Sequence, residues 1–171
     1  MTAHVADLFG FEPAAPEGKW SALFSAKSDE WPTDQAVVDD WVRRVGPFTL
    51  DPCCTPESAK APRFFTAEQD GLTQDWAAVS LPGAVWLNPP YSDVEAWITK
   101  AIAESARGCT VVTLLPARTD TRWFHLALAT QDRAEFFFAR GRLRFGDAKS
   151  SAPFPSLVIV FRPPPYSRGR R

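Results

Sequence analysis

Cysteine is scarce: the chain has three, two of them adjacent at Cys53 and Cys54. An odd count does not suit a secreted disulfide scaffold, and the spacing is not that of a zinc site, so a reduced, cytoplasmic protein is expected. Histidine is scarcer still. His4 and His125 stand apart, with no acid or cysteine at catalytic or ligand spacing, so no metal centre is expected and His125 reads as a helix-surface or packing residue. There is no run of about 18 apolar residues and no basic-then-apolar leader, which argues against membrane insertion and export. Charge of one sign is lacking too: 19 basic and 20 acidic residues give a net charge of -1, so the total announces no nucleic-acid partner. The distribution is less even. The C-terminal "FRPPPYSRGRR" holds Arg162, Arg168, Arg170 and Arg171 and no acid, and reads either as a solvated end or as an arm that attracts phosphates.

What is present bounds the architecture. With 171 residues, 45% hydrophobic and 13% aromatic, the chain can bury one good core and has no room for a second full domain. Residues 29–162 are expected to form that domain, with an N-terminal arm over 1–28 and a basic tail over 163–171. No internal repeat is visible. "DQAVVDDWVRRV" places Val37, Val38, Trp41 and Val42 on one helical face, with Thr33 or Asp34 as cap and Gly46-Pro47 as stop. "FTL" leads as a strand into Asp51-Pro52. Turn chemistry follows, with a short strand read at "RFF" and an Asp-Gly turn at Asp70-Gly71. "VWL" is a buried strand, "DVEAWITKAIAESA" a helix ended by Gly108, and "CTVVTLL" a strand. "TDTRWFHLALAT" is a helix, and "AEFFFA" and "SLVIVF" are strands, with Phe136, Phe137 and Phe138 read as core residues. Strands alternating with helices, then two strands joined without one, predict an α/β fold: a mainly parallel sheet with an antiparallel edge hairpin.

The most unusual stretch is "LNPPYS". Two prolines stop the preceding strand and stiffen Asn88, Pro89, Pro90 and Tyr91 into a corner. In an open α/β sheet, ligands bind beyond the carboxyl ends of the strands, where this corner and Asp51-Pro52 are both expected. The Asn88 side-chain oxygen and the Pro89 carbonyl can accept hydrogen bonds, and Tyr91 offers a flat aromatic face. Two acceptors beside a stacking surface suit an exocyclic amino group on a planar ring. They would hold its hydrogens and aim the nitrogen lone pair at an electrophile.

Asn-Pro-Pro-Tyr in this setting resembles motif IV of the amino-methyltransferases, which act on adenine, on cytosine N4 or on a glutamine amide. "DEWPTDQAVVDDW", "FTLDPCCTPESAKAPRFFTAEQDGLTQDW", "VWLNPPYSDVEAWITKA", "GCTVVTLLPARTDTRWFH" and "FARGRLRF...APFPSLVIVF" together resemble the phage-type DNA N6-adenine methyltransferase (Dam) family, from about Trp31 to Phe161. The resemblance implies a Rossmann-like class I methyltransferase fold, S-adenosylmethionine as cofactor, DNA as partner, and a phage or prophage protein working in the cytoplasm of a bacterial host. It implies that Asn88, Pro89, Pro90 and Tyr91 hold a flipped adenine. Asp51, with Pro52 and Cys53, would lie beside the methionine or ribose part of the cofactor, and Asp70 near its adenine.

Trp31, Pro32 and Thr33 correspond to an entry segment near the cofactor, though the order here is Trp-Pro-Thr where the family has an aromatic and Thr-Pro. Ser58 stands where the family often has Asn. Between Asp51 and Gly71 there is no glycine, so Cys53, Cys54 and Thr55 would have to let the cofactor approach. Taken alone, Asp51 reads equally as a turn cap, Asp70 as a turn initiator, and Cys53 and Cys54 as small packing residues. Arg140, Arg142 and Arg144 in "RGRLRF" suit DNA phosphates or a solvated hairpin, and Arg118 faces the expected crevice as a further basic contact. Alternatives are an amino-methyltransferase of RNA or of a protein amide, and a silent DNA-binding module. Little room remains for a separate recognition domain, so relaxed target specificity is expected. The oligomeric state and the biological role, protection from restriction or regulation, are left open.

Overall fold

The computed structural model describes residues 33–143 and 151–165. The arm over 1–28, Trp31, Pro32, Arg144 and the tail from residue 166 lie outside the described residues.

Helix α1 (Gln35–Val45) is capped by Asp34, whose carboxylate accepts from the Ala36 N–H at 2.9 Å, and it buries Val38 and Trp41. Gly46, at φ 93°, ends it where residues with a side chain are strained, and the chain turns into β1 (Phe48–Asp51). A short β2 (Arg63–Phe64) follows, and then α2 (Trp76–Ser80). Strand β3 (Ala84–Leu87) leads through the Pro-Pro corner to α3 (Val94–Ala106). Strand β4 (Thr110–Pro116), α4 (Arg122–Leu128), β5 (Ala134–Phe138) and β6 (Ser156–Phe161) complete the chain.

The six strands form one sheet in the order β2-β1-β3-β4-β6-β5. β2, β1, β3 and β4 are parallel, while β6 runs antiparallel to both β4 and β5, so the expected edge hairpin is present. Side chains alternate between two cores. Leu50, Val85, Leu87, Val111, Leu157 and Ile159 pack toward α2, α3 and α4. Phe48, Ala84, Trp86, Val112, Leu114, Val158 and Val160 pack toward α1 together with Phe154.

Two readings of the sequence need correction. Residues 76–80 are a helix rather than turn chemistry: Asp75 caps it through the Ala78 N–H at 2.9 Å, and Trp76 is fully buried. Phe138 is not a core residue. Phe136 packs on Phe124 and Phe137 on Trp41, but Phe138, at the strand's end, is 59% exposed.

Candidate active site

The chain leaves β1 for β2 on one side and returns to β3 on the other, so the strand order reverses between β1 and β3. Such a switch point opens a crevice at the carboxyl ends of the two strands. Asp51 ends one and Asn88 follows the other, so the two most unusual sequence spots flank the same opening.

Asp51 is buried and serves first to hold its own loop. Its Oδ1 accepts from the Cys53 N–H at 3.3 Å and its Oδ2 from the Lys60 N–H at 3.0 Å. The Lys60 ammonium reaches Gln35 at the start of α1 at 3.5 Å, so the β1–β2 loop is tied to the helix end on that face. Burial pushes the Asp51 carboxyl up from 3.8 to about 6, against the lowering effect of the backbone donors from Lys60 and Cys53. Burial and the adjacent Asp51 charge push the Cys54 thiol up to about 12. It is therefore a protonated packing group and no nucleophile.

The Asp70-Gly71-Leu72 turn sits directly on Pro52. A Cβ added at Gly71 would stand 2.0 Å from the Pro52 carbonyl oxygen and 3.3 Å from the Trp97 ring. Glycine is what allows this approach, and it brings Asp70 beside the end of β1. Asp70 has φ 48°, and its carboxylate accepts from the Leu72 N–H at 3.2 Å, so its visible role is to shape this turn.

At the corner, the Tyr91 hydroxyl donates to Asn88 Oδ1 at 3.3 Å. This bond fixes the amide with its oxygen on the tyrosine side. An amide oxygen has two lone pairs and can accept from both a phenol and an amino group. The Tyr91 ring meets Phe154 edge-to-face, centroids 5.5 Å apart, and packs against both cores, so it straddles the sheet's carboxyl edge. Burial pushes its phenol above the ordinary range, opposed by the positive charge of Arg118, and it stays neutral. Pro89 is buried and Pro90 half-buried.

A cleft of about 1000 Å³ runs from Leu72 past Tyr91 to Arg118, Thr121 and Arg122. Asp51 and Asn88 do not line it, although Asn88 is bonded to Tyr91, which does. Arg140 and Arg142 are exposed in the β5–β6 connection, whose base is closed by the Ala152 N–H donating to Leu143 O at 2.8 Å. The structure thus brings Asp51, Pro52, Cys53, Asp70 and the Asn88–Tyr91 corner to one end of the sheet, with Arg118 lining the same cleft as Tyr91 and Arg140 and Arg142 in the β5–β6 connection.

Two buried hydroxyls at this end have no hydrogen-bond partner among the described residues: Thr33 Oγ1, just before α1, and Ser156 Oγ, at the start of β6. Thr33 was marked by the sequence. Ser156 was not, because a serine opening a strand looks ordinary until its burial is known, and the same holds for Phe154. A buried hydroxyl without a partner is destabilising unless a ligand or water satisfies it. The unsatisfied Thr33 hydroxyl suits a ligand that carries hydroxyl or amino groups, as S-adenosylmethionine does. Among the described residues no cluster of three or more His, Cys, Asp or Glu could hold a metal ion, and no helix is long and apolar enough to cross a membrane.

A mainly parallel sheet with an antiparallel hairpin at one edge, and an Asn-Pro-Pro-Tyr corner at its switch point, define a Rossmann-like α/β protein of the class I methyltransferase type. Comparison with known proteins narrows this. The family model for DNA N-6-adenine-methyltransferase (Dam) matches residues 20–168, and the chain belongs to that family. It is 30% identical over 122 residues to the DNA N-6-adenine-methyltransferase of Haemophilus phage HP1, covering 68% of each chain. It is 31% identical over 118 residues to the protein of the same name from Escherichia phage T1, covering 69% of this chain but 48% of that one. A putative methyltransferase of Escherichia coli K12, YfdM, is 35% identical over 65 residues, 37% of this chain and 71% of its own.

Proposed function

We propose that this chain performs its family's reaction, methylation of adenine N6 in DNA, by holding a flipped adenine in the Asn88–Tyr91 corner, with S-adenosylmethionine bound beside Asp51. The observation that carries the reading is the Tyr91 O–H bond to Asn88 Oδ1, at the switch point of a sheet whose family acts on adenine in DNA. That bond presets the amide so that its oxygen, together with the Pro89 carbonyl, accepts from the two amino hydrogens. The nitrogen lone pair then points out of the ring plane. Tyr91 supplies the ring face, and Phe154 holds that ring upright.

Both acceptors are neutral, and the phenol is held protonated by burial, so catalysis here is positioning rather than proton abstraction. Stacked adenine cannot reach the corner, so the base leaves the duplex at a penalty of a few kcal/mol, offset by stacking of about 1–3 kcal/mol. Bound S-adenosylmethionine supplies an activated methyl group. Asp51 would accept hydrogen bonds from its hydroxyl or amino groups, Thr33 would offer its unsatisfied hydroxyl, and Asp70 would lie at the far side of the Pro52 turn. Trp31 and Pro32 continue the same segment. Arg118, Arg140, Arg142 and Arg144 would contact DNA phosphates, and recognition through short loops would leave target specificity relaxed. The setting is the cytoplasm of a bacterial host.

The test incubates purified protein with methyl-labelled S-adenosylmethionine and unmethylated duplex DNA, digests the DNA to nucleosides and identifies the labelled product. N6-methyladenine is expected from the wild type, with Asn88→Ala lowering the rate by about 10²-fold or more while cofactor binding persists. Label found only in RNA or protein would reject the reading, as would a fully active Asn88→Ala.

A further inference from the structure

Among the described residues, Phe138 is the most exposed large apolar side chain, at 59%. Its two predecessors are used in the core: Phe136 lies 5.9 Å from Phe124 and Phe137 5.0 Å from Trp41, centroid to centroid. Phe138 ends β5, and beyond it Ala139 donates to Ser156 O at 3.0 Å. The strand registers give its height. Leu87 pairs with Thr113; two residues farther along β4, Leu115 pairs with Leu157, and Leu157 pairs with Phe138. Phe138 therefore stands level with a point two residues beyond Leu87, the height of the Pro-Pro corner.

Three strand steps separate β3 from β5, roughly 14 Å at ordinary strand spacing. That span is comparable to the major-groove width of about 12 Å. A duplex against this edge would meet both features within a few base pairs. The residues after Phe138 are Ala139, Arg140, Gly141, Arg142 and Leu143: two exposed cations, no acid. An aromatic ring beside such a segment matches a polyanion carrying flat apolar groups, and apolar side chains inserted between base steps are a known way to unstack a duplex.

We propose that Phe138 is a base-stacking wedge. Its ring enters the duplex beside the target and stacks on the bases left behind when the adenine turns into the Asn88 corner, while Arg140 and Arg142 hold the flanking phosphates. This rests on the flipped-adenine reading. The wedge acts on the opening of the duplex and leaves the corner itself unchanged.

The experiment compares wild type, Phe138→Ala and Phe138→Trp on two DNA probes: a fully paired duplex, and the same duplex with an abasic site opposite the target adenine, where the base is already unpaired. Phe138→Ala should lose roughly 10- to 100-fold in kcat/KM on the paired duplex and recover most of it on the abasic probe. Phe138→Trp should stay near wild type on both. With 2-aminopurine at the target position, wild type should raise its fluorescence and Phe138→Ala should not. Because the side chain is exposed, the melting temperature of the variant should match wild type.

Equal activity of Phe138→Ala and wild type on both probes would overturn the wedge while leaving the flipped-adenine reading intact, as would equal loss on both. A change in oligomeric state of Phe138→Ala by analytical ultracentrifugation would overturn it in favour of contact with a second copy. Neither methylation nor a fluorescence rise from wild type on either probe would overturn both readings together.

Discussion

Replacing Gly71 by alanine tests whether the Asp70 turn and the end of β1 form one unit. The new methyl would lie 2.0 Å from Pro52 O and 3.3 Å from the Trp97 ring, against ordinary van der Waals contact at about 3.5–4.0 Å. The turn must withdraw by more than about 1 Å. It cannot withdraw toward Trp97, which is already in tight contact and is anchored by stacking near Trp76 at 6.2 Å. Overpacking of this kind is destabilising by about 1–3 kcal/mol. In a chain of this size that lowers the melting temperature by about 2–12 °C. The displacement also moves Asp70 and Leu72 away from Asp51, and a misplacement of about 1 Å can weaken a positioned site 10²-fold.

Calorimetric titration with S-adenosylmethionine should therefore show weakened binding by folded Gly71→Ala, measured well below its melting temperature. Gly83→Ala is the control. Its methyl would collide with the Thr49 side chain, 2.3 Å from Cγ2, but Gly83 precedes β3 at the amino end of the sheet, away from the site. It should lower stability and leave cofactor affinity alone. Wild-type cofactor affinity in Gly71→Ala, or equal loss in both variants, would refute the link between this turn and the cofactor.

A folded-state value raised from 3.8 to about 6 means that the stability Asp51 contributes is complete below about 3.8 and lost as pH rises through about 6. The difference corresponds to about 3 kcal/mol, so in denaturant titrations the stability of Asp51→Asn relative to wild type should rise by up to that amount between pH 4 and pH 7, whatever its offset from the one backbone N–H bond an amide cannot accept. If the ionised carboxylate receives the cofactor, wild-type affinity should fall as pH drops through about 6 and Asp51→Asn should be flat; identical profiles would exclude Asp51 as the titrating contact. Glu104 is 1% exposed, accepts from the Ala77 N–H at 3.1 Å and pairs with Lys100 at 2.7 Å and Arg107 at 3.1 Å. Glu104→Ala should be destabilising by about 3 kcal/mol, near the low end for a buried pair because Arg107 reaches solvent, and should leave the cofactor affinity of the folded protein unchanged.

The interior strands β4 and β6 and the corner after β3 were legible because the sequence marks each of them strongly. β4 and β6 are β-branched apolar runs, and the Asn88 corner is fenced by prolines. The hairpin followed from two strands with no helical period between them, and of the two cap residues the sequence offered, Thr33 and Asp34, it is Asp34 that makes the bond. What escaped depends on distance through space. Helix α2 has five residues, too few to display a 3.6-residue period, and it exists because Trp76 has a core to enter. Nothing in the sequence of α3 singles out Glu104, and only packing shows it buried under Ala77. Gly71 read as half of an Asp-Gly turn; that its α-carbon faces Pro52 is a fact of tertiary structure. Phe138 read as core because three phenylalanines in a strand look alike, yet alternation and the strand's end give the three different neighbours.

These contacts also bear on how so short a stretch can bring two large ligands together. The Asp51 loop is tied through Lys60 to Gln35 at the start of α1, while the cleft lined by Tyr91 and Arg118 takes in residues of α3 and α4. Tyr91 touches both cores and is the side chain common to the two sides. On the proposed reading, the cofactor lies along the α1 side and DNA approaches across the other, so the corner is a wall shared by two half-sites. Methyl transfer then needs no separate domain to close over the reactants. A rigid corner does need rigid support, and Phe154 supplies it from the segment leading into β6. Its loss should let Tyr91 swing, freeing the Asn88 amide to turn. Phe154→Ala should therefore resemble Asn88→Ala in methylation rate while binding cofactor normally, and a variant with full activity would show that the corner is held by its prolines alone.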